Sequence, residues 1–196
     1  EDLPRRADLV VSEVVSNNLL GEGVLDATAH ARIHLLEAGA PAIPRTGAIH
    51  VAMATVDLKY RAPVERVAGF GLSATNLSRS PCLGVTRDAP IEFVTEAGTL
   101  FQLDLTGRPV ADSESASCCL AAHKEGSAMG VVQWMSLELA DDVRLDTGPG
   151  TASTSWSMQF FPSPASLRVH PGQAIHVHGK RTRTSLLIWE KRPGGQ

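Results

Sequence analysis

Residues 7–36 read ADLVVSEVVSNNLLGEGVLDATAHARIHLL. Ala7 to Val11 is an apolar, β-type run of the kind found in buried parallel strands, which need neighbours on both sides. Ser12-Glu13 and a loop from Val14 to Gly23 follow it. From Val24 to Leu36 the residues Leu25, Ala29, Ile33 and Leu36 recur at helical spacing. Asp26 and Thr28 sit in the first turns and Gly39 lies beyond the end, as helix start and stop signals require. Strand, loop and helix in this order form half of a β-α-β unit. Such a piece does not bury itself, so the apolar faces of the strand and helix are expected to lack neighbours and to drive self-association or rearrangement.

Past Pro44 the texture changes to short alternating runs separated by Gly, Pro, Asp and Ser, as in Thr147 to Gly150 and His170 to Gly172. The pattern predicts strands over Ala48 to Val56, Val67 to Leu72, Ile91 to Val94, Thr99 to Leu105, Ser117 to Ala122, Gly130 to Leu139, Ser155 to Phe161, Ala174 to His178 and Ser185 to Glu190. Many short strands with punctuated turns predict an antiparallel β-barrel or sandwich. The expected fold class is therefore mainly β, with a strand-loop-helix remnant of a Rossmann-like core in front. Residues 1–44 form that first piece and residues 45–196 the β-barrel domain.

The whole chain has 196 residues, 43% of them hydrophobic and 20% charged, enough for one domain or at most two small ones. Its 18 Lys and Arg against 21 Asp and Glu give a net charge of -3. No basic footprint for nucleic acid or an anionic membrane surface results. No apolar run reaches the roughly 18 residues of a spanning helix, and Glu1-Asp2 lacks the basic-then-apolar order of a signal peptide, so a cytoplasmic protein is expected. Cys82, Cys118 and Cys119 suggest neither a disulfide framework nor a zinc site. The adjacent pair should point to opposite strand faces and act as buried small hydrophobes.

Glu13 and Glu22 bracket the loop V-V-S-N-N-L-L-G. A carboxylate at the carboxyl end of a parallel strand sits where α/β sheets bind ligands, and a second one returning on a loop can grip one cation from two sides. The geometry suits a planar guanidinium. In the competing reading Glu22 is an early helix residue favoured by the dipole and Glu13 a solvated loop residue.

These residues resemble the core of the protein arginine methyltransferase family, in which a strand ends in Ser-Glu, a loop brings a second Glu nine positions later, and a helix leads to a proline before the first barrel strand. The form L-L-G-E-G is similar to the branch that carries Gly before its second Glu. Farther on, Thr154-Ser155-Trp156 within STSWSMQFFP resembles the family's Thr-His-Trp loop, with Gln159-Phe160-Phe161 in the following strand. Serine replaces histidine as in the symmetric-dimethylating branch, which points to a monomethyl or symmetric product.

The resemblance implies methyl transfer from S-adenosylmethionine (AdoMet) to a guanidinium nitrogen of an arginine-containing protein or peptide, with Glu13 and Glu22 catalytic and Ser155 and Trp156 at the substrate. Trp156 would wall the pocket, or else be a barrel-core tryptophan. Ser155 would hydrogen-bond Glu13, or else only end a strand. The family's glycine-rich AdoMet turn is not matched, since Gly21-x-Gly23 and Gly69-x-Gly71 are lone pairs. AdoMet is thus expected to be bound mainly by an N-terminal half missing from this chain, and the fragment alone to be inactive. The family's helical dimerisation arm has no counterpart in Asp57 to Pro90. A homo-oligomer is the expected assembly, with neither nucleic acid nor membrane as partner. The alternative function is a non-catalytic β-barrel module that binds peptide.

Other constellations are weaker. His176 and His178 share a strand face as in the cupin His-x-His pattern, but Gly179, Lys180 and Arg181 follow where a carboxylate is wanted, so no metal is expected. His30 and His34 lack the intervening Glu of H-E-x-x-H. No G-x-S-x-G elbow is present.

Overall fold

A computed structural model describes residues 4–56, 65–78, 81–86, 89–151 and 154–191. Strand β1 (Val10–Val11) is followed by helix α1 (Val24–His34), β2 (Ala42–Ile43) and the long β3 (Thr46–Val56). Then come a small hairpin, β4 (Arg66–Val67) and β5 (Phe70–Gly71), a 3-10 turn at Ser73–Ser78, and β6 (Leu83–Val85). The remaining strands are β7 (Ile91–Phe93), β8 (Gly98–Asp104), β9 (Glu114–Ala121), β10 (Gly126–Ala140), β11 (Val143–Asp146), β12 (Met158–Val169), β13 (Ala174–Arg181) and β14 (Leu186–Lys191).

Apart from the short parallel pair β1–β2 and the β4–β5 hairpin, the strands form two antiparallel sheets. The larger runs β6-β12-β10-β3-β7, with β8 beside β3 and β11 beside β10, and the smaller runs β14-β13-β9. A single antiparallel bridge, Thr95 to Ala122, links them, and among the described residues no closed barrel forms. The main core lies between the sheets, with Ile49, Val51 and Met53 of β3, Val131 and Met135 of β10, and Ile175 and Val177 of β13 all buried. Period-two alternation sends their neighbours Ala52, Ala54, Val132 and Trp134 to a second cluster on the other face of the large sheet. Two covered faces account for the nearly unbroken apolar character of TGAIHVAMATV.

The segment from residue 4 to residue 43 is not orphaned. Val15, Leu19, Leu20, Val24 and Leu25 belong to the main core, alongside residues of both sheets. Helix α1 is anchored from outside as well. Arg32 Nε donates to the Thr106 carbonyl at 2.8 Å, and Arg183 Nε pairs with Asp26 at 2.5 Å. Gly107, at φ 81°, brings its turn so close that a Cβ there would run into the Thr28 carbonyl oxygen. The expectation that both apolar faces lack neighbours is therefore corrected for loop and helix, which pack on the β-sheets. It applies only to the outer edge: Leu9, Val11 and Ile33 are 45%, 68% and 62% exposed.

The N-terminal strand is shorter than the apolar run, two residues paired in parallel with Ala42 and Ile43. Val67 to Leu72 is a hairpin turning at Gly69 rather than one strand. The segment Glu114–Ala121 places Cys118 half inside and Cys119 outside, so only the first behaves as a packing residue. Burial raises the Cys118 thiol above its ordinary pKa, with the neighbouring Cys119 adding to the effect. No described helix is long and apolar enough to cross a membrane.

Candidate functional site

The loop between β1 and α1 is folded on itself by its polar residues. Ser12 N–H donates to the Ile43 carbonyl at 2.8 Å and extends the parallel pairing to the residue before Glu13. Asn18 Oδ1 then accepts from Ser16 Oγ at 2.7 Å, from Leu20 N–H at 2.9 Å and from Gly21 N–H at 2.8 Å. Gly21 N–H also reaches Ser16 Oγ at 2.8 Å, and a Cβ on Gly21 would press on that same oxygen. This staple turns the chain so that Leu19, at φ 74°, sends its side chain fully into the core. A left-handed leucine costs about 1–3 kcal/mol and is held by that burial.

Glu13 and Glu22 stand exposed at the two ends of the stapled loop. Among the described residues neither carboxylate has a hydrogen-bond or ion-pair partner.

Trp156 precedes β12 and is half-buried against the main core. Its Nε1–H donates to the Val15 carbonyl at 2.8 Å, and the next residue, Ser157, donates its N–H to Asn17 Oδ1 at 2.9 Å. Gln133 Nε2 on β10 reaches the Asn17 carbonyl at 3.4 Å. The double-glutamate loop and the tryptophan segment are thus brought together. Part of the indole packs against the core, as the barrel-core reading has it, while its N–H holds the loop. Ser155 is exposed, and among the described residues it makes no hydrogen bond to Glu13; the tie between the segments runs instead through Trp156 and Ser157. Asn17, Ser157 and Gln133 were not singled out by sequence. The adjacent polar pair Asn17-Asn18 in an apolar loop was the available signal, since Asn side chains fold turns back on the backbone.

The glycine pairs do not fit AdoMet. Gly21 N–H is consumed within the loop, Gly23 caps α1 at φ 77°, and Gly69 turns the exposed β4–β5 hairpin. Gly69 turns an antiparallel hairpin, and Gly21 and Gly23 lie at the far end of the loop after β1 rather than directly behind the strand, where a phosphate- or nucleotide-cradling turn sits.

The histidine pairs lie elsewhere. His176 and His178 point outward from β13, and His178 stacks on Trp189 with centroids 5.9 Å apart. His30 and His34 are exposed neighbours on α1, 4.6 Å apart. No group of metal-ligating residues occurs among the described residues. On the outer face of the large sheet His50 bridges three strands, with Nδ1 3.1 Å from Thr99 Oγ1 and Nε2 2.8 Å from Ser136 Oγ. Burial lowers the His50 pKa below its ordinary value, partly opposed by Asp146. Nearby, Glu138 accepts from Thr46 and Arg45, which hold its carboxyl below the usual range.

No family model matches the chain. It is 28% identical over 178 residues to an arginine N(omega)-methyltransferase of Streptomyces achromogenes subsp. streptozoticus, covering 89% of this chain and 49% of that protein. Against protein arginine N-methyltransferase 2 of Mus musculus the identity is 26%, covering 89% of this chain and 42% of the mouse protein. The chain therefore spans about half or less of the length of these relatives. A solved structure, the Trypanosoma brucei PRMT1 enzyme-prozyme heterotetrameric complex with AdoHcy, superposes with a TM-score of 0.76 at 19% identity, covering 98% of this chain and 70% of that one. Over most of its length the chain is thus similar in sequence to protein arginine N-methyltransferases, and in fold to a solved structure of that kind.

Proposed function

We propose that this chain is the C-terminal, substrate-binding portion of an AdoMet-dependent protein arginine N-methyltransferase, in which Glu13 and Glu22 clamp the substrate guanidinium. The observation that carries the reading is the direct bond from Trp156 Nε1 to the Val15 carbonyl, which seats an aromatic ring beside the loop that bears both carboxylates. Arginine stays protonated in proteins, with a pKa above about 12, so its nitrogens are poor nucleophiles. Two carboxylates gripping the guanidinium draw positive charge toward the nitrogens they bind and leave the remaining Nη better able to attack. Binding alone does not accelerate the step, so the clamp must favour the aligned, charge-shifted arrangement over the resting complex. Trp156 adds a flat wall worth roughly 0.5–2 kcal/mol to a cation against its face. AdoMet supplies the methyl group and is held mainly by residues outside this chain. Assembly into an oligomer is part of the proposal, in line with the heterotetrameric neighbour.

The test is methylation of an arginine-rich peptide and of free arginine by the full-length protein and its Glu13→Gln and Glu22→Gln variants. Each variant should keep its fold and lose at least about 100-fold in activity, roughly 3 kcal/mol of transition-state stabilisation. Near-wild-type turnover in either variant removes the clamp. A wild-type protein that binds the peptide without methylating it makes the chain a peptide-binding module instead.

A further inference from the structure

We infer that Asn17 is a positioning residue, a clasp that fixes the Trp156 ring relative to the Glu13–Glu22 loop. The inference rests on the guanidinium-clamp reading and assigns a role to a residue that neither carries charge nor reaches solvent freely. Asn17 lies four positions after Glu13 and five before Glu22. Its side-chain oxygen accepts the Ser157 amide across 140 positions of sequence, and its own carbonyl accepts from Gln133. The indole bond to Val15 ties the ring to the loop at one point. A second bond, two residues along the loop and one residue along the strand segment, makes the tie two-point and sets the angle between loop and ring.

Gln133 supports the same assignment. It is 0% exposed in the middle of β10, and among the described residues its Oε1 has no hydrogen-bond partner. A buried amide with an unmade bond is costly, and a methionine of similar volume would fill the site without that cost. What the amide provides is a donor aimed at the Asn17 main chain. Asn17 is thus held from the sheet on one side and holds the tryptophan segment on the other.

The experiment compares Asn17→Ala with Asn17→Asp, which keeps the acceptor oxygen, and runs Glu13→Gln beside them. In this chain, hydrogen exchange of the Ser157 amide and the Trp156 indole N–H is followed by NMR. In the full-length protein, kcat and the KM values for an arginine-rich peptide and for AdoMet are measured. Asn17→Ala should speed Ser157 exchange and lower kcat about 10- to 100-fold with the KM for AdoMet unchanged, the size of loss a small misplacement produces. Asn17→Asp should restore protection and most of kcat. Should Asn17→Ala fail to fold, Ser157→Pro removes the same bond from the donor side, at a position just before β12 where proline is tolerated, and should reproduce the kcat loss. Inactive Glu13→Gln together with fully active Asn17→Ala, or an Asp variant as impaired as Ala, overturns the clasp. An active Glu13→Gln overturns the clamp reading itself, whatever Asn17 does.

Discussion

Trp156 and Val15, 141 positions apart in sequence, are joined by a 2.8 Å hydrogen bond from the indole N–H to a main-chain carbonyl. A carbonyl of a buried residue accepts only what geometry brings to it, so this bond makes the loop and the tryptophan segment one unit. It is also separable from the ring itself.

Trp156→Phe keeps an aromatic face and removes the donor. The Val15 carbonyl is then left short of a partner, which costs about 1–3 kcal/mol. Chemical denaturation should show a loss of that size, and the Ser157 amide should exchange faster. An unchanged midpoint would mean that the indole bond contributes nothing to holding the loop.

Gly107→Ala should loosen the seat of α1. The position combines a left-handed φ of 81° with a main-chain oxygen of Thr28 where the new methyl would go. Backbone strain alone accounts for about 1–3 kcal/mol, and the clash adds to it. The melting temperature should drop by several degrees, and the helix amides around Thr28 should lose protection first.

His50 gives the protein a pH dependence of definite sign. Its folded pKa lies below the ordinary 6.5 because burial disfavours the cation. The unfolded chain therefore takes up a proton first as pH falls. Stability is complete above about pH 6.5 and declines below it, through the folded pKa. In His50→Asn the fall in melting temperature between pH 7 and pH 5 should be shallower than in the wild type. Identical slopes would exclude His50 as a source of the decline.

Calorimetric titration of AdoMet into this chain should show no saturable heat. The glycines that could cradle a nucleotide are committed to the loop staple, the helix cap and an exposed hairpin. Micromolar binding would place a cofactor site on these residues.

The β architecture was legible because alternating runs and Gly-Pro punctuation mark strands whatever their order. Strand ends were less so: β12 begins at Met158 and runs on to Val169, through two prolines that pattern reading treats as stops. Pairing of β12 with β10 on one side and β6 on the other is a long-range fact. Glu13, Glu22 and Trp156 were singled out through their resemblance to a family pattern, and the structure brings the loop and the tryptophan segment together. Asn17 was hidden, because an Asn in a loop signals a turn in general and names no distant partner. The helix face also escaped the periodicity: Ile33 matches the apolar stripe, yet it points away from the sheets, whose position decides which stripe is buried.

The clasp between the first loop and the segment before β12 has a consequence for how the site comes into being. The bonds that join the loop to the tryptophan segment and to β10 span 116 to 141 positions, so no contiguous half of the protein contains them, and loop closure over such separations is slow. Synthesis must pass Ser157 before the Glu13–Glu22 loop meets its tryptophan. Nascent or proteolytically nicked forms ending earlier would carry both carboxylates but not the tryptophan segment, and this ties the joining of loop and ring to completion of the sheet.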